Sequence, residues 1–488
     1  MEDILRVLLT CLPAPPFPAA TGSRGPSHAA AAPAEDRISR LPDAVLSDIV
    51  SRLPVKDAAR TAALSSRWRR IWASTPLVLD DSDLLVLPDG SGGGIDWFAV
   101  NVAVSRVLDA HPGPFRCVRL TCCWMYPAAY MGLLPRWLRV LAARGVRDLV
   151  LVNRPQPTDV RLPADVLRIA SLRRLYLGAW CFPDTAGLPR GPAVFPHLRE
   201  IGLCHTVINT GAIDHLLACS PVLDTLAIVV SYYTPGHVRI RSRSLRCLLI
   251  WKSLADEVAV VVAPRLERLI LWQKCPCVPG FVFPSTRVRI GYATELKVLG
   301  YLEPSIHHLI IGGTIIESGT KMTPSTMVPS VKILALKVQF GVRKEAKTLP
   351  TFLRCFPNVE TLHVMSHKAD EPTGKLNLKF WQEVGPIDCL ETNITKLVFN
   401  KFRAERSELA FLRFVLERAQ SLLQLVVVLA NGDRDPASEN EMVTKLKSLA
   451  TAKRASECPT LLIITREGGS AWCFQRASDL SVSDPFDG

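Results

Sequence analysis

A short aliphatic pattern, hydrophobic at its first, fourth and sixth positions, recurs along most of this 488-residue chain and limits what it can fold into. It runs through Val146–Leu149–Leu151, Leu172–Leu175–Leu177, Leu198–Ile201–Leu203, Leu223–Leu226–Ile228 and Leu245–Leu248–Ile250. It continues through Leu266–Leu269–Leu271, Ile306–Leu309–Ile311, Val331–Leu334–Leu336, Val359–Leu362–Val364, Ile394–Leu397–Phe399 and Leu422–Leu425–Val427. Successive copies start 26, 26, 25, 22, 21, 40, 25, 28, 35 and 28 residues apart, and the longest interval leaves room for a weaker copy at Arg287–Ile290. The last two aliphatic residues of each copy point to one side of a strand. One strand cannot bury that side alone, whereas stacked strands share a continuous core. A period of this size predicts a solenoid. The segments between copies differ: Thr210–Cys219 and Pro135–Ala143 read as helices, and the β-branched run Val258–Val262 reads as a strand. The expected fold class is α/β, with a convex side that mixes helices and strands.

Composition agrees with a large core. Hydrophobic residues make up 48% and charged residues 21%, which excludes a mostly disordered chain. Fourteen cysteines are too few for a disulfide scaffold and fit reduced thiols, hence the nucleus and/or cytoplasm. Lysine and arginine (58) outnumber aspartate and glutamate (45), giving a formal charge of +13, and the cations are scattered along the chain. The apolar stretch Leu422–Ala430 is too short for a membrane span and contains Gln424. At the N-terminus, Glu2 and Asp3 stand where a secretory signal has basic residues, and Pro13 cuts the apolar core short.

The chain divides by composition. Residues 1–35 are expected to be a disordered leader, since 13–35 are rich in proline and alanine and offer little to bury. Residues 36–80 read as three short helices: one started by Pro42 and ended by Pro54, an alanine-rich second, and a third capped by Ser65 and stopped by Pro76. Residues 81–113 form a linker and helix, with Asp89–Gly94 a flexible loop and Trp97–Leu108 helical. The repeat array occupies 114–380. In 381–430, a helix over Ser407–Gln420 carries Phe411, Leu412, Val415 and Leu416 on one face and feeds the strand Leu425–Leu429. Residues 431–488 supply a further helix (Glu439–Arg454), a strand (Pro459–Thr465) and a tail, which close the last open layer.

Catalytic signatures are lacking: the sequence holds no G-x-S-x-G, H-E-x-x-H, P-loop or G-x-G-x-x-G motif. His363 and His367 are four apart, but on a strand that spacing does not bring both rings together. Cys122–Cys123 and Cys275–Pro276–Cys277 lack the paired C-x-x-C of zinc sites. The expectation is a protein that is not an enzyme and holds no cofactor or metal.

In 36–80, Leu41-Pro42-Asp43, Leu46, Ile49, Leu53-Pro54-Val55, Asp57, Leu64, Ser65, Arg67-Trp68-Arg69 and Trp72 together resemble the F-box motif. The array resembles leucine-rich repeats. In 381–430, Cys389-Leu390, Thr395–Phe399, Phe402-Arg403, Glu408-Leu409, Phe411, Arg418-Ala419 and Leu422-Leu423 resemble the FBD region of plant F-box proteins, with Ala404 where that family commonly has glycine. This resemblance implies an F-box, then a leucine-rich-repeat solenoid shaped as a horseshoe, then an FBD-like α/β cap. It also implies a substrate receptor of an SCF-type ubiquitin ligase. The F-box would bind a Skp-type adaptor, and through it a cullin scaffold, by Leu41, Pro42, Leu46, Ile49, Leu53, Pro54, Leu64, Trp68 and Trp72. The strand face would bind an unknown protein target, centred on Arg246, Arg268, Ile270 and Trp272, because arginine and tryptophan are typical anchors. The alternative is a non-ligase scaffold, or a nucleic-acid-associated protein using Arg173, Arg174, Arg199, Arg246, Arg268 and Lys332. Glu200, Asp224, Glu267 and Glu360 share that face, however, and make it better suited to protein than to phosphate. No membrane contact is expected.

Overall fold

The computed structural model describes residues 2–14, 36–85, 96–125, 132–154, 160–231, 236–273, 285–368, 378–430, 436–451, 455, 460–464 and 472–487. The expected loop at 89–94, most of the expected leader (15–35) and the Cys275–Cys277 pair lie outside the described residues. The chain forms two compact units, residues 1–234 and 235–488.

The first unit opens with helix α1 (Glu2–Cys11), followed by α2 (Asp43–Arg52), α3 (Val55–Thr61) and α4 (Ser66–Ser74). Strand β1 (Leu77–Asp80) and helix α5 (Trp97–Ala110) lead into β2 (Phe115–Leu120), α6 (Leu133–Ala143) and β3 (Asp148–Val152). Then come β4 (Arg174–Gly178), β5 (Glu200–Cys204), α7 (Thr210–Cys219) and β6 (Thr225–Val229). Strands β1 to β6 pair in chain order, all parallel. Their register follows the sequence pattern: Leu149, Leu175, Ile201 and Leu226 lie side by side, as do Leu151, Leu177, Leu203 and Ile228. The buried Asp81 carboxylate, just after β1, accepts the backbone N–H groups of Thr121 (2.9 Å), Cys122 (2.7 Å) and Cys123 (3.0 Å). It thereby ties the end of the helical segment to the first repeat.

Helix α1 corrects the expectation of a wholly disordered leader. Leu8, Cys11 and Leu12 are buried, at the spacing of one helical stripe. They cover the outer face of the first sheet: a Cβ built on Gly178 would lie 3.3 Å from Leu8 Cδ2, and Arg119 donates to the carbonyl of Pro13.

The second unit contains β7 (His237–Arg241), β8 (Cys247–Trp251), β9 (Glu257–Val262), β10 (Arg268–Trp272), β11 (Thr286–Tyr292), β12 (Val298–Leu302), β13 (His307–Ile311) and β14 (Thr314–Ile315). Next are β15 (Ile333–Val338), α8 (Arg343–Cys355), β16 (Thr361–Ser366), α9 (Leu378–Glu383), β17 (Lys396–Phe402), α10 (Arg406–Arg418) and β18 (Gln424–Leu429). The unit ends with α11 (Pro436–Thr451), β19 (Thr460–Ile464) and α12 (Phe474–Ser478). Strands β8, β10, β12, β15, β16, β17, β18 and β19 form one parallel sheet, with Leu248, Leu269, Leu299, Leu334, Leu362, Leu397, Leu425 and Leu461 in line. Strands β7, β9, β11, β13 and β14 form a second sheet, in which Val238, Val258, Val288 and Leu309 align. This second sheet is the strand-built counterpart of the helices elsewhere on the array.

Two copies assigned from the aliphatic pattern belong elsewhere. Arg287–Ile290 lies in β11 and Leu309–Ile311 in β13, both in the second sheet. The main-sheet strand of that interval is β12, where an irregularity between Leu299 and Leu302 places Leu302 beside Leu336. Gly300 sits at the kink with φ 149°, and a Cβ there would meet Ala335 at 2.5 Å.

In the FBD-like segment, the turn from β17 to α10 holds Ala404 at φ 59°, a left-handed conformation that favours glycine. Buried Glu408 braces this turn by accepting from the backbone N–H of Arg403 (2.9 Å) and of Glu405 (3.0 Å).

Candidate interaction surfaces

Helix α2 carries two apolar stripes, each at a spacing of four. Leu46 and Val50 face inward and are fully buried. Val45 and Ile49 face out, with Val45 exposed and Ile49 half-buried. Leu41, Leu53 and Pro54 flank them half-buried, and Pro42, Ile38 and Leu64 are exposed. Trp68 is buried, its N–H donating to Ser39 Oγ (3.0 Å), and Ser65 caps α4 by accepting from the Trp68 backbone N–H (3.3 Å). Arg67 fixes the entry to α2 by donating to Asp43 Oδ1 (Nε, 2.8 Å) and to the carbonyls of Leu41 (2.7 Å) and Ser39. Trp72 meets His111 edge-on at 5.0 Å. Leu46 and Trp68 thus hold this segment together, which corrects their assignment to an adaptor surface, while half-buried Trp72 joins it to the end of α5. Leu41, Pro42, Ile49, Leu53, Pro54 and Leu64 remain reachable. Val45 was missed, although two adjacent stripes on one short helix signal that only one of them can turn inward; exposed Ile38 lies in the turn before the helix and carried no such signal.

The second surface is the outer face of the main sheet in the second unit, where the expected target-binding residues lie. Arg246 is partly exposed and ion-paired with Glu267 at 2.6 Å. Arg268 and Ile270 are buried, and Trp272 is half-buried. Their burial has a specific cause: the chain's own C-terminal segment, residues 472–487, lies on this face. Arg268 donates to the carbonyls of Asp479 (2.8 Å), Ala477 (3.4 Å) and Val482. Trp472 packs against Trp251 and Trp272, each with ring centroids 4.5 Å apart, and Phe486 packs on Tyr301 at 5.0 Å. His363 Nε2 and Asp484 Oδ2 are 2.9 Å apart, and Lys396 Nζ donates to Asp487 Oδ2 at 2.6 Å. Burial alone would raise the Asp484 carboxyl, but the hydrogen bond and charge interaction with His363, helped by Lys396, hold it below its usual value. His363, Asp484 and Asp487 place ligand atoms within 4.8 Å of one another, and the Lys396 ammonium already balances one carboxylate. Arg268 and Ile270 are therefore covered in this state, a correction to their reading as an open target surface. Sequence reasoning missed the covering segment, because its partners lie up to 230 positions away.

Several of the scattered cations are paired across neighbouring strands. Arg174 meets Asp148 at 2.7 Å, Arg199 meets Asp224 at 3.0 Å and Lys332 meets Glu360 at 2.7 Å. Among the described residues no helix is long and apolar enough to cross a membrane.

A small helical module precedes a parallel repeat sheet, and comparison with known proteins gives the class. Residues 38–80 match the F-box domain, 134–364 match a repeat family described as FBD-associated F-box protein At5g56370, LRR repeats, and 382–427 match FBD. The chain belongs to the plant F-box/leucine-rich-repeat/FBD family. F-box/LRR-repeat protein 13 of Arabidopsis thaliana is 25% identical over 470 residues, covering 88% of this chain and 96% of the relative. From the same plant, the putative FBD-associated F-box protein At5g22720 is 24% identical over 443 residues, covering 81% and 88%. F-box/LRR-repeat protein At3g03360 is 27% identical over 288 residues, and there the match spans 57% of this chain and 56% of the relative.

Proposed function

We propose that this protein is the substrate-recognition subunit of an SCF-type ubiquitin ligase. Its F-box binds a Skp-type adaptor, which connects it to a cullin scaffold, and its repeats bind a protein target. The observation that carries this reading is the outward stripe of α2, where Val45 and Ile49 with Leu41 and Leu53 leave apolar surface uncovered within a matched F-box. The protein then acts by holding target and ubiquitin-charged enzyme together, which raises effective concentration without a catalytic residue of its own. The ion-paired cations of the strand faces favour a protein target over phosphate. The eleven described cysteines are all free thiols, which supports action in the nucleus or cytoplasm.

The test is adaptor binding by the full chain. Replacing Ile49 and Leu53 together by aspartate loses about 1.5–3 kcal/mol of burial per side chain. Adaptor affinity should then fall at least about 100-fold, at roughly 1.4 kcal/mol per tenfold, while the melting of the repeats stays unchanged. Failure of the wild-type chain to bind any Skp adaptor would overturn the reading.

A further inference from the structure

We infer that the outer face of the second unit is a docking groove for a target segment that combines bulky aromatic residues with carboxylates, and that residues 472–487 occupy it as a built-in competitor. The inference rests on the receptor reading only for the identity of its partner as a target protein.

The C-terminal segment itself shows what the groove recognises. It is not held as a strand added to a sheet edge; it lies across the face as a loop that contacts β8, β10, β12, β16 and β17, with Trp472 and Phe486 packed together at 5.7 Å. Arg268 reads backbone carbonyls, which any peptide offers. The aromatic wall of Trp251, Trp272 and Tyr301 receives Trp472 and Phe486. His363 and Lys396 receive the two carboxylates. This is the recognition pattern of a peptide site: backbone contacts give general affinity, and a few pockets give specificity.

The groove also extends past its occupant. A cleft of about 790 Å³ opens beside Trp472 and Phe486 and runs over β17 to β19. Its floor is the apolar cluster Val398, Val426 and Val428, with Ile464 packed alongside. A longer target segment could use this floor as well as the sites held by residues 472–487, and so bind better than the internal one.

Two features make the internal segment displaceable. Its only helix among the described residues, α12, has five residues and cannot persist without the groove. Its last ion pair, Lys396–Asp487, is only half-buried and so still partly screened by solvent. A segment on the same chain competes at an effective concentration of about 1 mM. With an intrinsic Kd of about 10 µM for the internal segment, any competing peptide would then bind the closed chain about 100-fold more weakly than the open groove.

The experiment uses a fluorescent synthetic peptide of residues 472–487 and full-length protein. Binding to the wild-type chain should be weak. Binding to a chain carrying Phe486→Ala and Asp487→Ala should be at least about tenfold tighter, and adding Arg268→Ala should remove that gain. Equal binding to wild-type and loosened chains would overturn the proposal. So would no binding to a loosened chain that still melts cooperatively. If the loosened chain fails to fold, hydrogen exchange on the wild-type chain decides. Excess peptide should speed exchange at 479–487, and unchanged exchange at saturating peptide would overturn the proposal. A Skp pull-down from the same preparations keeps the two readings apart. Retained adaptor binding with failed peptide competition removes only the groove, and lost adaptor binding with successful competition removes only the ligase role.

Discussion

Helix α1 and residues 472–487 each cover the outer face of a repeat sheet, but with different chemistry. In the first unit the contact is apolar, with Leu8, Cys11 and Leu12 buried and Leu8 seated over Gly178. In the second, aromatic rings share the work with an arginine on carbonyls, a histidine–aspartate contact and a lysine–aspartate pair. Apolar burial is stable across salt and pH, whereas charged contacts weaken with ionic strength and with protonation. The first cover is built to stay, and the second to exchange.

The sharpest way to break this contrast is to charge the apolar cover. Leu8→Asp removes about 1.5–3 kcal/mol of burial and places an unpaired carboxylate against the sheet at several kcal/mol more. A loss of about 4 kcal/mol or more in the stability of the first unit is expected, read by denaturant unfolding. A loss under about 1 kcal/mol would show that α1 is as loosely held as the C-terminal segment.

Within the second unit, core and cover can be separated by the sign of their pH response. Buried Glu345 lies in α8 and accepts from the Gln339 backbone N–H at 2.9 Å. Burial, with a smaller contribution from Glu303, pushes its carboxyl up to about 7 from 4.5. A carboxyl whose affinity for protons is raised by folding stabilises most below its unfolded value, and that stabilisation is lost as pH rises from 4.5 through 7. At about 1.4 kcal/mol per tenfold in proton affinity, the change is on the order of 3 kcal/mol. Glu345→Gln should flatten the pH dependence of unfolding in that window. An unaltered profile would place the carboxylate in a more solvated setting.

Asp484 should behave in the opposite way and with a smaller effect. Folding holds its carboxyl below 3.8, so its contribution is complete above that value and disappears as pH falls through the lower, folded one. Exchange at 479–487, corrected for the intrinsic rate, should therefore rise below about pH 4 while the Glu345 contribution is at its greatest. Asp484→Asn should raise exchange there at neutral pH, at a cost of about 1 kcal/mol. Unchanged exchange in both experiments would mean that the aromatic contacts alone hold the segment.

How much of the structure is legible in the sequence depends on the range of the interactions. The main strands were legible because the aliphatic alternation is local, and the register aligns Leu248 with Leu269 and Leu362 with Leu397 as the pattern requires. β12 escaped because its sixth position is Tyr301, which the irregularity after Leu299 turns to the outer face to meet Trp272 and Phe486. Ile306–Leu309–Ile311 misled because strands of the second sheet bury alternate aliphatics in the same way. The F-box core and its outer stripe could not be told apart by residue type, since Leu46 and Ile49 are equally apolar and differ only in direction. The cover at 472–487 left no local trace, being without period and bound to residues 91 or more positions away.

The finest test asks whether the cover responds to the stability of the unit beneath it or only to its own contacts. Ala404 holds φ 59° in the turn after β17, the strand that supplies Lys396 to the latch. An alanine in this region carries strain that glycine lacks, of about 1 kcal/mol, and the glycine's extra freedom when unfolded offsets part of the gain. Ala404→Gly should therefore stabilise the second unit by a few tenths to about 1 kcal/mol in denaturant unfolding. The Glu408 carboxylate would still hold the backbone N–H groups of Arg403 and Glu405, so the turn keeps its shape. Exchange at 479–487 should stay as in the wild type, because Lys396 and the groove do not move. If the stabilised chain instead slowed exchange there in proportion, the C-terminal segment would open only when the unit unfolds, and the contrast with α1 would vanish.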